Sequence, residues 1–254
     1  LEHLEQVVAF EGPENVAAII LETIPGTAGI IVPPPGYLAG VRDICDRHGI
    51  VFIADEVMCG FGRTGKWLAI DHWAVTPDLI TFAKGVNSGY VPLGGVMISE
   101  RIAATFDERI YPGGLTYSGH PLACAAAIAS MDAMREERIV ENAACIGEKV
   151  LGPGLHELAD RHQSIGDVRG LGVFWALELV EDRATKKPVA PYGGTSPAMV
   201  ALVAACLKGG LLPFTNFNRL HVVPPCTISE AEATEGLAIL DAALTVVDAY
   251  CESI

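Results

Sequence analysis

The chain has 254 residues, half of them hydrophobic, and its 31 acidic and 17 basic residues give a formal net charge of −14. This apolar content excludes a disordered chain, because disordered chains contain too few apolar residues to form a core. The net negative charge repels a phosphate backbone, so we expect no nucleic acid among the partners. The longest uncharged apolar run, 199–207, is too short to span a bilayer, so we expect no membrane partner.

The seven cysteines are scattered along the chain and never form a CxxC pair. An odd number of scattered cysteines is typical of reduced thiols in the cytoplasm and not of a disulfide framework or a zinc site. The seven histidines show no HExxH or comparable ligand spacing. We therefore predict a cytoplasmic protein without a metal site.

Short apolar runs and helical patterns alternate in the first half of the chain. After a helical pattern at 1–10, strands are predicted at 16–21, 50–54, 79–83 and 95–98. A helix is predicted over 36–48, because Gly49 follows it as a C-cap signal. The strand runs are apolar throughout, so we expect them to be buried on both faces. The order strand, helix, strand predicts an α/β fold with a mainly parallel sheet.

The second half has the pattern of an α+β region. Helical periodicity is found at 121–135, 137–161, 197–208 and 229–249, and strand patterns are found at 165–169 and 172–180. The second helical segment is interrupted around Gly152–Gly154, and Ser229 opens the last one with a capping box to Glu232. We place a domain boundary near residue 140.

Two charged residues stand where predicted strands end. Asp55 follows the run at 50–54, and Lys84 follows the run at 79–83. Ligands of open parallel sheets bind outside the carboxyl ends of the strands, so both side chains are expected to face one crevice. Either residue alone could simply mark where a strand leaves the core, but together they favour a site. A pyridoxal phosphate site and a nucleotide site are both compatible with the pair.

A nucleotide site finds only weak support. Gly60–Lys66 matches the G-x-x-x-x-G-K pattern of a P-loop. However, Trp67 stands where Ser or Thr must bind magnesium, and Asp55 and Glu56 precede the loop, where they would repel phosphates. We reject the P-loop and interpret the segment as a tight turn.

A series of short motifs runs in one order and spacing along nearly the whole chain. The series consists of Asp55-Glu56-Val57, Gly60-Phe-Gly-Arg-Thr-Gly65, Pro77-Asp78, Ala83-Lys84-Gly85, Pro92-Leu-Gly-Gly95, Thr116 and Pro121-Leu-Ala-Cys124. It resembles the class III (omega-type) pyridoxal-phosphate aminotransferases of fold type I. The resemblance implies an α/β fold with an incomplete, mainly parallel large domain and a C-terminal α+β small domain. Residues 1–139 would belong to the large cofactor-binding domain and 140–254 to the small domain.

The resemblance also implies an activity. An amino group would move from an amine, an omega-amino acid or an alpha-amino acid to a 2-oxo acid such as pyruvate, in ping-pong order, with pyridoxal phosphate as cofactor. The enzyme would be a homodimer with shared active sites. A decarboxylase or an aminomutase of the same fold stays open as an alternative, as does a catalytically incompetent fragment or pseudoenzyme that only dimerises.

Roles for single residues follow from the same resemblance. Lys84 would hold the cofactor as a Schiff base and shuttle a proton, and Asp55 would bind the pyridine nitrogen. Val57 would pack against the ring, and Thr116 would reach the cofactor phosphate of the neighbouring subunit. Glu22 matches an acidic position near the arginine that binds the substrate carboxylate.

The chain departs from the family pattern in three places. It lacks the N-terminal portion that carries a Gly-Ser phosphate-binding turn and a ring-stacking aromatic residue, so we interpret it as a fragment. Met58 stands where many members have Gln, and Phe214 stands where many have an arginine. Arg219 is then the nearest candidate for binding a second carboxylate, with a surface salt bridge as an equally supported role.

Overall fold

The computed structural model describes residues 1–251, which form two compact units. The first unit comprises Leu1–Ile24, Pro33–Gly62 and Lys66–Arg138, and the second comprises Pro25–Val32, Arg63–Gly65 and the described residues from 139 to 251. The assignment of 1–139 to a large domain and 140–254 to a small domain stays a prediction, and its last three residues lie outside the described part.

A four-stranded sheet is the centre of the first unit. Its strands, in sheet order, are β1 (Ala18–Glu22), β2 (Val51–Asp55), β3 (Leu79–Phe82) and β4 (Gly95–Ile98). The first three strands run parallel to one another, and β4 is antiparallel to β3. All four strands lie within two residues of the predicted bounds, and the sheet is mainly parallel, as predicted.

The first unit also contains helices. They are α1 (Glu2–Glu11), α2 (Tyr37–His48), α3 (Glu100–Ala103) and α4 (Pro121–Glu136), with short 3-10 turns that include Ala69–His72 and Lys84–Asn87. The helix α2 ends at Gly49, which adopts the left-handed conformation that glycine tolerates best. Apolar side chains of α2, such as Val41, pack with Phe52 of β2 and Ile70 into a core.

The other face of the sheet is apolar but open. Ile20 of β1 is 57% exposed, and Val96 and Ile98 of β4 are 52% and 47% exposed. The expectation that the strands are buried on both faces is therefore wrong within the residues of this unit. Continuous apolar runs predicted the strands correctly, but no other layer of the first unit covers their second face.

Asp78 ties three elements together at the start of β3. Its Oδ2 accepts hydrogen bonds from Arg42 Nη1 and the Phe52 amide, both at 2.9 Å. Its Oδ1 accepts one from Arg101 Nη2 at 2.6 Å. The side chain is only 11% exposed, so these bonds act in a partly desolvated place.

We expect Asp78 to stabilise the fold by an amount that depends on pH. Burial acts to raise the pKa of Asp78, but the bonds from Arg101, the Phe52 amide and Arg42 outweigh it, so the pKa lies below its ordinary value of 3.8. A depressed pKa stabilises the fold above the unfolded-state pKa, and that contribution is lost as the pH falls through the folded-state pKa. Asp78→Asn is expected to lose about 2 kcal/mol near neutral pH, because a neutral amide forms weaker bonds to two arginines.

Urea unfolding at neutral pH and in acid measures this effect. The difference in unfolding free energy between Asp78→Asn and the unsubstituted chain should decrease between about pH 4 and pH 2, where the aspartate itself becomes protonated. Asp107→Asn, at an exposed position, is the matched control and should follow the unsubstituted chain. A difference in unfolding free energy that is the same at every pH would contradict the role given to Asp78.

The second unit contains an antiparallel sheet in the order β5-β6-β9-β8, with β7 paired to β6. Its strands are β5 (Ile165–Leu171), β6 (Phe174–Asp182), β7 (Lys187–Pro188), β8 (Phe214–Asn216) and β9 (Arg219–Val222). Its helices are α5 (Ile139–Ile146), α6 (Gly152–Arg161), α7 (Pro197–Gly209) and α8 (Glu230–Asp248). Leu155, Leu177, Leu202 and Leu244 lie in the core between helices and sheet.

Most predicted elements of the second half are present. Ser229 caps α8 and forms the predicted capping box with Glu232. The interruption expected around Gly152–Gly154 lies instead at Gly147–Leu151, which forms a π-helical turn. The strands β8 and β9 were not predicted, because their short mixed sequence has no clear alternation. No helix within residues 1–251 is both long and apolar enough to cross a membrane.

Candidate active site

Three polar residues stand side by side where the parallel strands of the first unit end. Glu22 of β1 pairs in register with Asp55 of β2, and Asp55 pairs with Thr81 of β3. Residues paired in this way share one face of a sheet. By the same alternation this is the open face that carries Ile20. Glu22 is exposed and Asp55 is half-buried, so the carboxylates at this edge can meet a ligand.

The carboxylate of Asp55 is oriented by its own chain. Its Oδ1 accepts a hydrogen bond from the Val57 amide at 2.9 Å. The Asp55 carbonyl in turn accepts one from the Thr23 amide at 3.3 Å. These bonds fix the end of β2 and the start of the following loop, which positions Asp55 and Val57 relative to each other.

Lys84 begins the turn Lys84–Asn87 just after β3. Its φ of 44° lies in the left-handed region, which is uncommon for a residue other than glycine. Such strain is often found at functional sites. Gly85 follows because a Cβ there would lie only 2.8 Å from the Cβ of Phe61. The local chain therefore turns sharply and leaves the Lys84 side chain exposed.

An open cavity of about 850 Å³ lies next to Lys84, which forms part of its wall together with Asn87. Another part of the wall is formed by Ser118, Gly119 and His120, which lead into α4, and by the first turn of that helix. Helix N-termini present unpaired N–H groups and a partial positive charge, so this end suits an anion. The wall of the cavity thus includes both the Lys84 amine and the N-terminal end of α4.

The predicted site residues are not all on this wall. Of the described residues lining the cavity, Lys84 belongs to the predicted set, whereas Asp55, Val57 and Thr116 do not line it. Thr116 lies in a fully exposed stretch, 111–120. The structure brings Asp55 and Val57 together at the end of β2 and places Lys84 one strand further along the same sheet edge.

Glu56 is a residue of this site whose role the sequence did not reveal. Its side chain is completely buried, with 0% exposure. Its Oε1 accepts hydrogen bonds from Thr23 Oγ1 at 2.7 Å and from the Ile70 amide at 2.8 Å. Its Oε2 accepts one from the Ala69 amide at 2.8 Å and one from Cys59 Sγ at 3.4 Å. Glu56 therefore connects the ends of β1 and β2 to the turn Ala69–His72.

The rest of the motif around Glu56 forms a closed loop. The Phe61 amide donates to the Trp67 carbonyl at 2.6 Å, and the Gly62 amide donates to the Lys66 carbonyl at 3.1 Å. The thiol of Cys59 is buried beside Glu56, and both effects raise its pKa, so it is a poor nucleophile near neutral pH. No group of three or more potential ligands for a metal ion is found among residues 1–251.

Arg219 lies in the second unit and contacts backbone carbonyls. Its guanidinium donates to the carbonyls of Asn216, at 3.2 Å, and of Ala28. It also stacks over the ring of Phe217, with 5.2 Å to the centroid. These contacts hold the segment Pro25–Val32 against β8 and β9. A role of Arg219 in substrate binding stays a prediction, as does the role of Glu22 in the first unit.

Arg169 is a second basic residue that contacts the segment Pro25–Val32. Arg169 Nε donates to the Gly29 carbonyl at 2.7 Å. Burial, with the nearby charges of Arg219 and Arg169, lowers the pKa of His221 to about 4, so its ring is neutral near pH 7. Arg169 Nη1 also forms ion pairs with Asp167 Oδ2 at 2.6 Å and with Glu178 Oε2 at 2.8 Å, so carboxylates partly balance the two arginine charges beside the neutral imidazole.

The family described as aminotransferase class III matches residues 1–244 of this chain. The chain belongs to the class III aminotransferases. It is 38% identical over 260 residues to a taurine–pyruvate aminotransferase of Bilophila wadsworthia, which covers 97% of this chain and 56% of that protein. It is also 38% identical over 237 residues to a putrescine–pyruvate aminotransferase of Pseudomonas aeruginosa, covering 92% of this chain and 50% of that protein.

Solved structures of aminotransferases have the same fold. A taurine:2-oxoglutarate aminotransferase from Bifidobacterium kashiwanohense, in complex with PLP and glutamate, superposes with a TM-score of 0.93 and 41% identity, covering 98% of this chain and 55% of that one. An (S)-enantioselective omega-transaminase from Thermomicrobium roseum has a TM-score of 0.87 and 39% identity, covering 97% and 54%. These likenesses confirm the predicted family and the predicted incomplete fold type I architecture. The chain spans about half the length of the curated relatives it matches.

Proposed function

We propose that this chain carries a pyridoxal-phosphate site that transfers an amino group from an amine, an omega-amino acid or an alpha-amino acid to a 2-oxo acid. The observation that carries the proposal is the position of Lys84, which is a strained, exposed lysine on the wall of a cavity. A primary amine in such a place suits covalent attachment of an aldehyde. Membership in the class III family supports the same cofactor.

The residues present fit this cofactor. Lys84 supplies an amine, and Asp55 supplies a half-buried carboxylate for a ring nitrogen. The N-terminus of α4 and the preceding Ser118 and Gly119 line the same cavity as Lys84 and suit a phosphate. Val57 offers an apolar surface beside Asp55 for a ring. The donor set therefore covers the aldehyde, the nitrogen and the phosphate.

The chemistry divides between cofactor and protein. When bound, pyridoxal phosphate supplies an electron sink that weakens the C–H bond next to the substrate amino group. Lys84 Nζ would take that proton from the substrate carbon. When the 2-oxo acid later receives the amino group, Lys84 Nζ would deliver a proton to the carbon that accepts it. The Asp55 carboxylate would hold the ring nitrogen in its protonated form through a charge-assisted hydrogen bond.

The proposed substrates follow the names of the relatives. Several of these are aminotransferases for taurine, putrescine or 5-aminovalerate, whose amino groups all sit on terminal carbons. Two of these names include pyruvate as the acceptor. We propose pyruvate as acceptor here, in ping-pong order. Two substrate-binding residues are proposed separately: Arg219 for a substrate carboxylate, and Glu22 for a position near a carboxylate-binding arginine.

A homodimer with shared active sites is proposed as the working form. Large apolar side chains are exposed on the wall of the Lys84 cavity, at Leu115, Tyr117 and Leu122, and in the adjoining sequence, at Ile110, Tyr111 and Ile128. Monomers rarely expose so many apolar side chains in one region. A second copy covering this region would bring its exposed Thr116 toward the cofactor phosphate. The seven free cysteines support a reducing, cytoplasmic location.

Paired-substrate assays test the proposed function. The purified chain is incubated with pyridoxal phosphate, pyruvate and one donor at a time (taurine, putrescine or 5-aminovalerate), and the products are identified by mass spectrometry. Formation of alanine together with the donor aldehyde is expected. With an alpha-amino acid as an additional donor, release of carbon dioxide would indicate a decarboxylase. A donor recovered with a relocated amino group would indicate an aminomutase. A stable dimer by light scattering, without cofactor binding or product, would indicate the incompetent dimerising form.

A further inference from the structure

The hydroxyl of Thr81 is buried and has no hydrogen-bond partner among the described residues. Leaving a buried polar group unpaired is unfavourable, and most such groups in folded proteins have a partner. A threonine and a valine have nearly the same shape, so packing alone does not require the hydroxyl at this position. The Thr81 side chain therefore needs an explanation that goes beyond the packing of the sheet.

Its location supplies one. Thr81 of β3 pairs in register with Asp55 of β2, and both side chains lie on the same face of the sheet. Neighbouring strands are about 4.8 Å apart, so rotation of the threonine side chain about χ1 brings its hydroxyl within reach of the adjacent carboxylate. Of the bonds to the Asp55 carboxylate, the structure shows the one from the Val57 amide at 2.9 Å. The carboxylate therefore has acceptor capacity for a further donor.

Asp55 is half-buried and open to water on the free side of the sheet. A ligand that displaces this water leaves the carboxylate in need of other donors, because a desolvated charge without hydrogen bonds is unfavourable. Thr81 Oγ1 is the neighbouring hydroxyl without a partner. We propose that Thr81 is a positioning residue: its hydroxyl donates to the Asp55 carboxylate when cofactor binds and holds that carboxylate in line with the ring nitrogen. This inference rests on the proposed function.

The proposal predicts opposite effects on stability and on binding. Thr81→Val removes a hydroxyl that has no partner, so the chain without added cofactor should melt at the same temperature or higher. The same change removes a donor to a charged acceptor in the bound form, so the dissociation constant for pyridoxal phosphate should rise about tenfold or more. Thr81→Ser keeps the hydroxyl and should restore the affinity. A residue with a purely structural role would not separate the two measurements in this way.

A matched control is found just after β4, at Ser99, next to the residue that precedes β3. The hydroxyl of Ser99 is also buried without a partner in the described chain. The Ser99 amide donates to the Asp78 carbonyl, three residues before Thr81 and thus about 10 Å away along the strand. Ser99→Ala should therefore leave the dissociation constant unchanged.

The experiment measures thermal unfolding without pyridoxal phosphate and the dissociation constant for pyridoxal phosphate by visible absorbance, for the unsubstituted chain and for Thr81→Val, Thr81→Ser and Ser99→Ala. Weaker binding in Thr81→Val alone, with an unchanged melting temperature, is the expected result. Equal affinity in Thr81→Val, or weak binding in Thr81→Ser as well, would overturn the inference and leave the proposed function standing. A melting temperature lowered by more than about 3 °C in Thr81→Val would also overturn it. No binding by the unsubstituted chain would overturn both proposals together.

Discussion

Replacing Lys84 by alanine is expected to lower turnover with an amine donor and pyruvate by at least about 10⁴-fold. The proposed role makes Lys84 both the point of covalent attachment and the group that moves the proton, so no other residue of the described chain takes over either task at this cavity. Lys84→Arg should lose as much, because a guanidinium stays protonated and cannot act as a base. Steady-state kinetics with saturating pyridoxal phosphate measures both variants.

A lysine elsewhere provides the comparison. Lys208 is exposed in the last turn of α7, so Lys208→Ala removes the same charge without touching the cavity. Its rates should match those of the unsubstituted chain. Turnover of Lys84→Ala within tenfold of the unsubstituted chain would contradict the role of Lys84, because a covalent and proton-transferring residue cannot be dispensable.

The second large effect is expected at Glu56. Glu56→Ala leaves three buried donors without an acceptor, on Thr23, Ala69 and Ile70, and should destabilise the first unit by about 4 kcal/mol. Glu56→Gln keeps the shape but turns an amide N–H toward a backbone N–H, so a loss of about 2 kcal/mol is expected. Urea unfolding measures the loss in the global free energy of unfolding. Hydrogen exchange at the Ala69 and Ile70 amides measures the loss of local stability, because these amides donate directly to this carboxylate.

Glu11→Gln is the control for this prediction, since Glu11 is exposed on the last turn of α1. It should leave both unfolding and exchange unchanged. Unaltered exchange at the Ala69 and Ile70 amides in Glu56→Ala would show that Glu56 does not hold this turn, whatever happens to global stability.

The strands and helices were predictable because their signals are local. Apolar runs of four to six residues predicted β1 to β4, and Gly49 predicted the end of α2. The open face of the first sheet was not predictable, since the composition of a strand does not tell which layers are present to cover it. The short strands β8 and β9 were missed because their three and four residues show no pattern of their own, and β9 is held in the sheet by pairing with β6, a strand distant in sequence.

Part of the candidate site was likewise predictable from the local sequence, and part was not. Asp55 and Lys84 were predictable, because each directly follows an apolar strand run. The bonds of Glu56 were not, since its partners on Thr23, Ala69 and Ile70 come from two other segments of the chain. The same holds for Arg219, whose contact with the Ala28 carbonyl joins positions far apart in sequence. Pairing between distant segments decides which side chains meet, and no local pattern records it.

The most direct test of the central claim is to fix the cofactor in place. The purified chain is incubated with pyridoxal phosphate, reduced with borohydride and digested, and the modified peptides are mapped by mass spectrometry. We expect a single pyridoxyl adduct, on Lys84, which would place the cofactor at the end of β3 beside Asp55. An adduct spread over surface lysines such as Lys208, or no adduct, would contradict the claim that this cavity is a pyridoxal-phosphate site.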